Sequence, residues 1–94
     1  MTNLSTLQIP FRYGFTSDFN SSEPFIADVS FNLDDEYERE SLAYDVAMNY
    51  YNANYDNWDS ATSKTFFIWE ANGSFVGEYD IELEFSPVFT IWEK

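Results

Sequence analysis

The most regular pattern in the chain is a strict alternation of acidic and bulky apolar side chains over residues 78–85. An alternation with a period of two predicts a β-strand that has one charged face and one apolar face. At a rise of about 3.4 Å per residue, carboxylates two positions apart lie roughly 7 Å from each other. The charged face is expected to carry Glu78, Asp80, Glu82 and Glu84, and the apolar face Tyr79, Ile81, Leu83 and Phe85.

A different period, of three to four residues, governs residues 34–54 and predicts one long helix. Asn32 is the expected cap at its N-terminus, and the acidic residues that follow complement the positive end of the helix dipole. The apolar positions define an expected core face of Leu42, Ala43, Val46, Ala47 and Tyr50.

The remaining apolar segments predict further strands. One is expected at residues 7–15, where Pro10 confines it to a sheet edge or interrupts it, and others at 25–32, 65–70 and 88–92. Asn72-Gly73 favours a hairpin, and Ser86-Pro87 should bend or end the acidic strand. One helix cannot cover both faces of a parallel sheet. We therefore predict one domain over residues 1–94 with an α+β fold: an antiparallel sheet of four to five strands with one long helix packed on one face.

The net charge indicates which kind of partner these acidic faces would bind. Seventeen Asp and Glu against four Lys and Arg give a formal net charge of −13, more than a small domain needs for solubility. A basic partner would offset the self-repulsion, whereas nucleic acid and anionic membranes are disfavoured as direct ligands. A halophilic or merely very soluble protein is the alternative. The aromatic content of 21% favours a folded core over a disordered acidic tail.

The composition also restricts the chemistry. The chain has no Cys and no His, which excludes disulfides, thiolate zinc sites and thiol nucleophiles. Residues 52–63 superficially resemble an EF-hand loop but lack its Gly and its bidentate Glu. We expect no metal and no other cofactor, although a weak cation site near residues 54–59 stays open. Paired catalytic carboxylates need a deep cleft, for which this chain offers little room, so we expect no enzyme activity.

Clustering of the acids indicates where a partner would bind. Ten of the seventeen lie within residues 34–45 and 78–84. On a helical wheel, Asp34, Glu38 and Asp45 fall within about 40° of one another, and tyrosines follow beside them at heptad spacing. Carboxylates next to phenol rings suit Arg and Lys, although these acids could simply complement the helix dipole. The candidate partner-binding residues are Asp34, Asp35, Glu36, Glu38, Glu40, Asp45, Glu78, Asp80, Glu82, Glu84, Tyr37 and Tyr44.

In length, charge, lack of Cys and His, and acids ordered on a strand and a helix, the chain resembles the small acidic phage proteins that imitate DNA. These include anti-restriction proteins, anti-CRISPR proteins and uracil-DNA glycosylase inhibitors. The resemblance rests on no sequence motif. It implies a DNA mimic that blocks the Lys/Arg-lined nucleic-acid groove of a host CRISPR effector, restriction enzyme or similar protein. Such an inhibitor would act in the bacterial cytoplasm as a monomer or homodimer.

A second resemblance is local and runs from Trp58 to Phe89. Its residues are Trp58, Phe66, Phe67, Gly73, Gly77, Glu82, Glu84, Pro87 and Phe89, and they are similar to the C-terminal half of small uncharacterised phage and proteobacterial proteins. This resemblance favours a phage-linked origin and implies nothing about the target.

Two other functions remain open. One is a non-catalytic adaptor that binds through an aromatic patch, with Tyr37, Tyr44, Tyr51, Trp58 or Trp92 as anchors. The other is a minor structural protein of the virion. The chain shows neither a signal-peptide pattern nor an apolar run of membrane-spanning length, which favours a cytoplasmic location.

Overall fold

A computed structural model of the protein describes residues 8–53, 62–85 and 88–94. Its strands form one antiparallel sheet of five strands in the order β2-β1-β3-β4-β5. The elements are β1 (Ile9–Gly14), a short 3-10 helix (Phe19–Ser21), β2 (Glu23–Ala27), α1 (Glu36–Ala53), β3 (Thr62–Glu70), β4 (Phe75–Phe85) and β5 (Val88–Glu93). The predicted α+β fold is confirmed, with five strands.

Helix α1 lies on one face of the sheet, against β2, β4 and β5. The predicted core face is confirmed, because Tyr50 is partly buried against the core and the other four residues are fully buried: Leu42, Ala43, Val46 and Ala47. On β4, Tyr79, Ile81 and Leu83 are buried on the helix side as expected, and the Phe85 side chain lies outside the described residues. The buried core comprises Phe11, Tyr13, Phe25, Ala27, Leu42, Ala43, Val46, Ala47, Phe66, Ile68, Tyr79, Ile81 and Leu83. No helix of the described residues is both long and apolar enough to cross a membrane.

The predicted Asn-Gly hairpin joins β3 to β4. Gly73 has a φ of 97°, a left-handed conformation that glycine adopts without a steric penalty. Its N–H donates to the Glu70 carbonyl oxygen at 2.9 Å, and the Asn72 side chain accepts from the Ser74 N–H at 2.9 Å. This turn places β4 beside β3 in the register that puts the even-numbered carboxylates of β4 on the sheet face away from the helix.

Several boundaries differ from the sequence prediction. Strand β2 ends at Ala27 rather than at residue 32, and α1 begins at Glu36 rather than at residue 34. The Asp35 carbonyl accepts the first helical bond, from Arg39 at 3.0 Å, and its side chain accepts from the Tyr37 N–H at 3.0 Å. Asp35 therefore caps the helix, and the prediction of Asn32 as the cap is wrong. The Asn32 side chain instead accepts from the Asp34 N–H and shapes the preceding turn.

The prediction that Pro10 confines this strand to a sheet edge or interrupts it is wrong, because Pro10 lies within β1 and β1 lies between β2 and β3. The position of Pro10 explains why the strand tolerates it. At Pro10, β1 is paired only with β2, opposite Ile26, whereas pairing with β3 begins one residue later at Phe11. Proline cannot donate to a ladder, so it fits a position that has a strand on one side only.

Candidate partner-binding surface

The sheet face opposite α1, here called the open face, carries the acidic side of β4. Glu78, Asp80 and Glu82 follow one another on this face, and each is half-buried between neighbouring strands. Because β4 is paired with β3 on one side and with β5 on the other, its backbone is held at fixed spacing. The three carboxylates, here called the acid row, therefore sit on a rigid support. Glu84 continues β4, but its side chain lies outside the described residues.

The acid row is bordered by rings on both neighbouring strands. Phe67 of β3 lies opposite Glu78, and Trp92 of β5 lies opposite Asp80. Trp92 is 47% exposed, so its ring is open to a ligand. On the β3 side, the Thr65 hydroxyl donates to Asp80 Oδ1 at 2.7 Å and fixes the orientation of that carboxylate. At a carboxylate beside an exposed ring, a guanidinium can pair with the carboxylate and stack on the ring at the same time.

Lys94 also belongs to this surface, although the sequence pattern did not predict it. Its Nζ lies 3.6 Å from Glu78 Oε2 and 3.4 Å from Asp80 Oδ2. Its backbone N–H donates to the Glu78 carbonyl oxygen at 2.9 Å, so the β4–β5 pairing extends one residue beyond Glu93. This pairing determines the face of the sheet on which the lysine lies. The sequence contained one indication of this position, because Lys94 is two residues after Trp92 and alternate residues of a strand share a face. Among the ion pairs of the described residues, none includes Glu82.

The spacing of the acid row allows a comparison with DNA. Carboxylates two residues apart on a strand are separated by roughly 7 Å, whereas one strand of B-form DNA advances about 3.4 Å per phosphate. The acid row thus has about half the linear charge density of a DNA strand, and the Lys94 ammonium offsets part of that charge. The acid row is therefore a short set of three separated carboxylates and not a continuous imitation of the DNA backbone.

Towards the β3–β4 turn, the open face changes from acidic to aromatic. Trp69 is only 5% exposed there, because Phe19 from the β1–β2 connection packs edge-on against it at 5.6 Å between ring centroids. Arg12 lies over the Phe19 ring at 5.7 Å. It also donates from Nε to the Ser22 hydroxyl at 2.7 Å and from a terminal nitrogen to the Ser22 carbonyl oxygen. The sequence did not predict that this loop covers the sheet. It leaves the acidic half of the open face accessible, together with Phe75 at the turn end.

The acids around the start of α1 do not form the stripe that the helical wheel predicted. Asp34 precedes the helix, so a helical angle does not apply to it, and Asp35 is engaged as the cap. The Glu38 carboxylate turns back to accept from the Asn32 N–H at 3.1 Å. Glu36 is exposed and Glu40 half-buried on the first two turns. The Asp35 and Glu38 carboxylates complete the helix terminus, in agreement with the simpler interpretation of first-turn acids.

Asp45 lies elsewhere, beside the edge strand β2. It faces a shallow groove of about 360 Å³ lined by Phe25, Ile26, Asp28, Asp45, Met48, Asn49 and Asn52. Burial raises the pKa of the Asp45 carboxyl, and the nearby charge of Asp28 raises it further. Asp45 is therefore a mildly destabilised carboxylate in a side groove and does not join the other helix acids.

The predicted tyrosines lie along the flank of α1 that faces β5. Tyr44 is 38% exposed and packs edge-on against Phe89 at 5.5 Å between ring centroids, and Tyr51 contacts the same ring at 6.0 Å. Tyr37, seven residues before Tyr44, is 76% exposed. The structure therefore separates them from the acid row, because α1 and the acid row lie on opposite faces of the sheet.

A second ion pair ties the helix to the sheet. Arg39 donates to both Glu93 oxygens, from Nε at 2.7 Å and from a terminal nitrogen at 3.1 Å, and also to the Leu33 carbonyl oxygen at 2.9 Å. These hydrogen bonds lower the pKa of Glu93 and raise that of Arg39. Burial, followed by the adjacent Glu93 carboxylate, raises the pKa of the Tyr79 phenol. The pair faces the helix side and is structural.

Within the described residues, no three acids lie close enough together to form a metal site. Residues 54–59, where a weak cation site stayed open, and Trp58 lie outside them. Comparison with protein-family models, with curated proteins and with solved structures gave no significant match.

Proposed function

We propose that the chain is a non-catalytic inhibitor that binds the Lys/Arg-lined nucleic-acid groove of a host protein, of the CRISPR-effector or restriction-enzyme kind, and excludes DNA from it. The observation that carries this proposal is the acid row: Glu78, Asp80 and Glu82 at regular spacing on a strand that is paired on both sides. Preorganised carboxylates lose little conformational entropy when they bind, in contrast to those of a flexible acidic tail.

The acid row is a better candidate than the helix acids. Asp35 caps α1 and Glu38 binds the Asn32 N–H, so both are already engaged by the backbone. On the acid row, the two charges that are paired within the fold are held by one half-exposed lysine, Lys94. An exposed ion pair of this kind contributes about 0.2–1 kcal/mol, so a partner can displace it at little cost.

Arginine is the side chain that this surface suits best. A guanidinium beside Asp80 would lie next to the half-exposed Trp92 ring, which offers stacking in addition to a charged hydrogen bond. Two unit charges 4 Å apart attract by about 1 kcal/mol in bulk water and by about 4 kcal/mol at the effective dielectric constant of a protein surface. Binding should therefore be fast and should weaken steeply with salt.

The experiment is a competition for DNA. A tagged chain is used to capture proteins from a bacterial lysate at low salt, and each retained protein is purified and loaded with a fluorescent DNA duplex. The proposal expects the chain to displace the duplex at low salt and to lose this ability at several hundred millimolar salt. A retained protein that binds the chain and the duplex simultaneously, or binding that salt leaves unchanged, would contradict it.

A second function, an adaptor that binds through an aromatic patch, is favoured by one observation. Phe75 is 56% exposed at the turn end of the open face, where it stands next to Trp69 at 5.9 Å and Phe67 at 6.4 Å between ring centroids. Binding through this patch would be nearly indifferent to salt, and Phe75→Ser would abolish it while leaving the acid row intact.

A further inference from the structure

We propose that the outer edge of β5 is a self-association surface, on which a second copy of the chain pairs its own β5 in an antiparallel orientation to form a continuous ten-stranded sheet. This inference is independent of the proposed function, because it concerns the edge of the sheet and not the acid row. The strand order ends at β5, so among the described residues no strand covers this edge.

The hydrogen bonds within the sheet show which backbone groups of β5 face outward. The Lys94 N–H donates to the Glu78 carbonyl oxygen, so this pair is of the hydrogen-bonded type. Hydrogen-bonded and non-hydrogen-bonded pairs alternate along an antiparallel ladder. The backbone N–H and C=O of Trp92, which is paired with Asp80, therefore point towards β4. Those of Ile91 and Glu93 point to the outer side of the sheet. Exposed groups of this kind are a template for a further strand.

The two edges of the sheet differ in protection. The β2 edge carries Glu23 and Pro24, a charge and a residue without an N–H, which both discourage pairing. The β5 segment Val88–Trp92 has no charged residue and no proline, in a chain whose formal charge is −13. The charged residue of β5, Glu93 at its end, is offset by its ion pair with Arg39, so repulsion between two copies is small along this edge.

Exposed aromatic side chains border the β5 edge on both faces. Trp92 lies on the open face and is 47% exposed, while Tyr44 and Tyr37 follow the flank of α1 on the other face at 38% and 76% exposure. With about 200 Å² for a complete aromatic side chain, these three offer on the order of 300 Å² per copy. A standard interface needs about 800 Å² per copy, and the edge of a six-residue strand supplies part of the remainder.

The outward-facing residues also fix the register. Outward-facing residues lie opposite each other in the new ladder, and a two-fold axis can pass beside Thr90 or beside Ile91. Only the register with Ile91 opposite Ile91 of the second copy pairs all three outward-facing residues of β5, because Phe89 then lies opposite Glu93 of the second copy. Trp92 then lies opposite Thr90 of the second copy on the open face, so the sheet continues without a change of face. The two acid rows would share this face, three strand spacings or roughly 14 Å apart.

Cysteine cross-linking tests both the dimer and its register, because the natural chain contains no Cys. In the proposed register, the Cα atoms of Ile91 and its symmetry mate are about 5.5 Å apart, within the range of a disulfide. Those of Thr90 and its mate are about 8 Å apart, beyond that range. Ile91→Cys should therefore form a covalent dimer under mild oxidation, and the matched control Thr90→Cys should not.

Light scattering and sedimentation of the unmodified chain provide the second measurement. The dimer fraction should rise with protein concentration and with salt, since salt screens the repulsion between two copies. This salt dependence is opposite in sign to that of the proposed partner binding, so the two proposals can fail separately. A monomer at several hundred micromolar in both low and high salt would overturn the inference. Failure of both cysteine variants to form a covalent dimer would overturn the β5–β5 pairing, and cross-linking of Thr90→Cys as strong as that of Ile91→Cys would overturn the register.

Discussion

Gly77 in β4 is the glycine at which an added methyl group should be most damaging. A Cβ atom there would lie 2.5 Å from the Tyr79 hydroxyl oxygen, 2.7 Å from Cζ and 3.0 Å from Cε2. Residues two apart on a strand share a face, and the Tyr79 ring lies back over Gly77. Tyr79 is fully buried in the core, so its ring cannot move aside without displacing neighbours. Gly77→Ala therefore forces an overpacked core.

The size of the effect follows from two opposing contributions. Overpacking a core costs about 1–3 kcal/mol, whereas replacing glycine by alanine in regular structure gains about 0.5–1 kcal/mol of conformational entropy. We expect a net loss of about 1–2 kcal/mol in the free energy of unfolding. Tyr79→Phe removes the shortest contact. It also removes a buried hydroxyl that has no hydrogen-bond partner among the described residues, so on its own it should cost little.

Urea denaturation, followed by fluorescence and circular dichroism, measures both variants and their combination. In the double variant, Tyr79→Phe should recover part of the loss caused by Gly77→Ala, with a coupling on the order of 1 kcal/mol. Gly73→Ala is the matched control: its Cβ meets no atom within 4 Å, and its strain comes only from the φ of 97°. Tyr79→Phe should not rescue it. An unchanged stability of Gly77→Ala, or equal coupling at both glycines, would refute this reasoning.

Three other predictions concern charged groups. Arg39 lowers the folded-state pKa of Glu93, so this ion pair stabilises the fold above about pH 4.3 and is lost as the pH falls through the folded-state pKa. Glu93→Gln should be less stable than the natural chain at pH 7 and should show a smaller decrease between pH 7 and pH 3 in urea titrations; equal decreases would contradict this. The pKa of Asp45 is raised, so its charged form opposes folding, and Asp45→Asn should increase stability at neutral pH but not at low pH, as thermal melts at the two values would show. Lys94→Gln frees Glu78 and Asp80 and should tighten binding to the captured basic partner about two- to fivefold at low salt; weaker binding would mean that the lysine itself is a contact.

The sequence predicted the parts of the fold that depend on local periodicity. The alternation in residues 78–85 placed Tyr79 and Ile81 in the core and Glu78 and Asp80 outside it, because strand parity fixes the face of every side chain. The three-to-four residue period likewise identified the buried side of α1, and Asn72-Gly73 identified the hairpin.

Features that depend on long-range contacts were not predicted. Arg39 and Glu93 are 54 positions apart, and no local pattern links them. Asp45 falls near Glu38 on a helical wheel, but its surroundings are decided by the neighbouring strand β2, which contributes the groove. The helical wheel included Asp34, but the helix begins at Glu36 after the Asp35 cap, so Asp34 lies outside it. Propensity locates a helix, whereas capping and packing fix where it starts and what it contacts.

The most direct measurement of the central claim compares two variants with equal charge for binding to the captured nucleic-acid-binding protein. The open-face variant carries Glu78→Gln, Asp80→Asn and Glu82→Gln. The helix variant carries Asp34→Asn, Glu36→Gln and Glu40→Gln, so that each removes three charges from the formal −13 and avoids the Asp35 cap. With about 1 kcal/mol for each lost contact, the open-face variant should bind on the order of 100-fold more weakly. The helix variant should stay close to the natural chain. Equal losses would show that only total charge matters, and a larger loss in the helix variant would assign the binding surface to the other face of the protein.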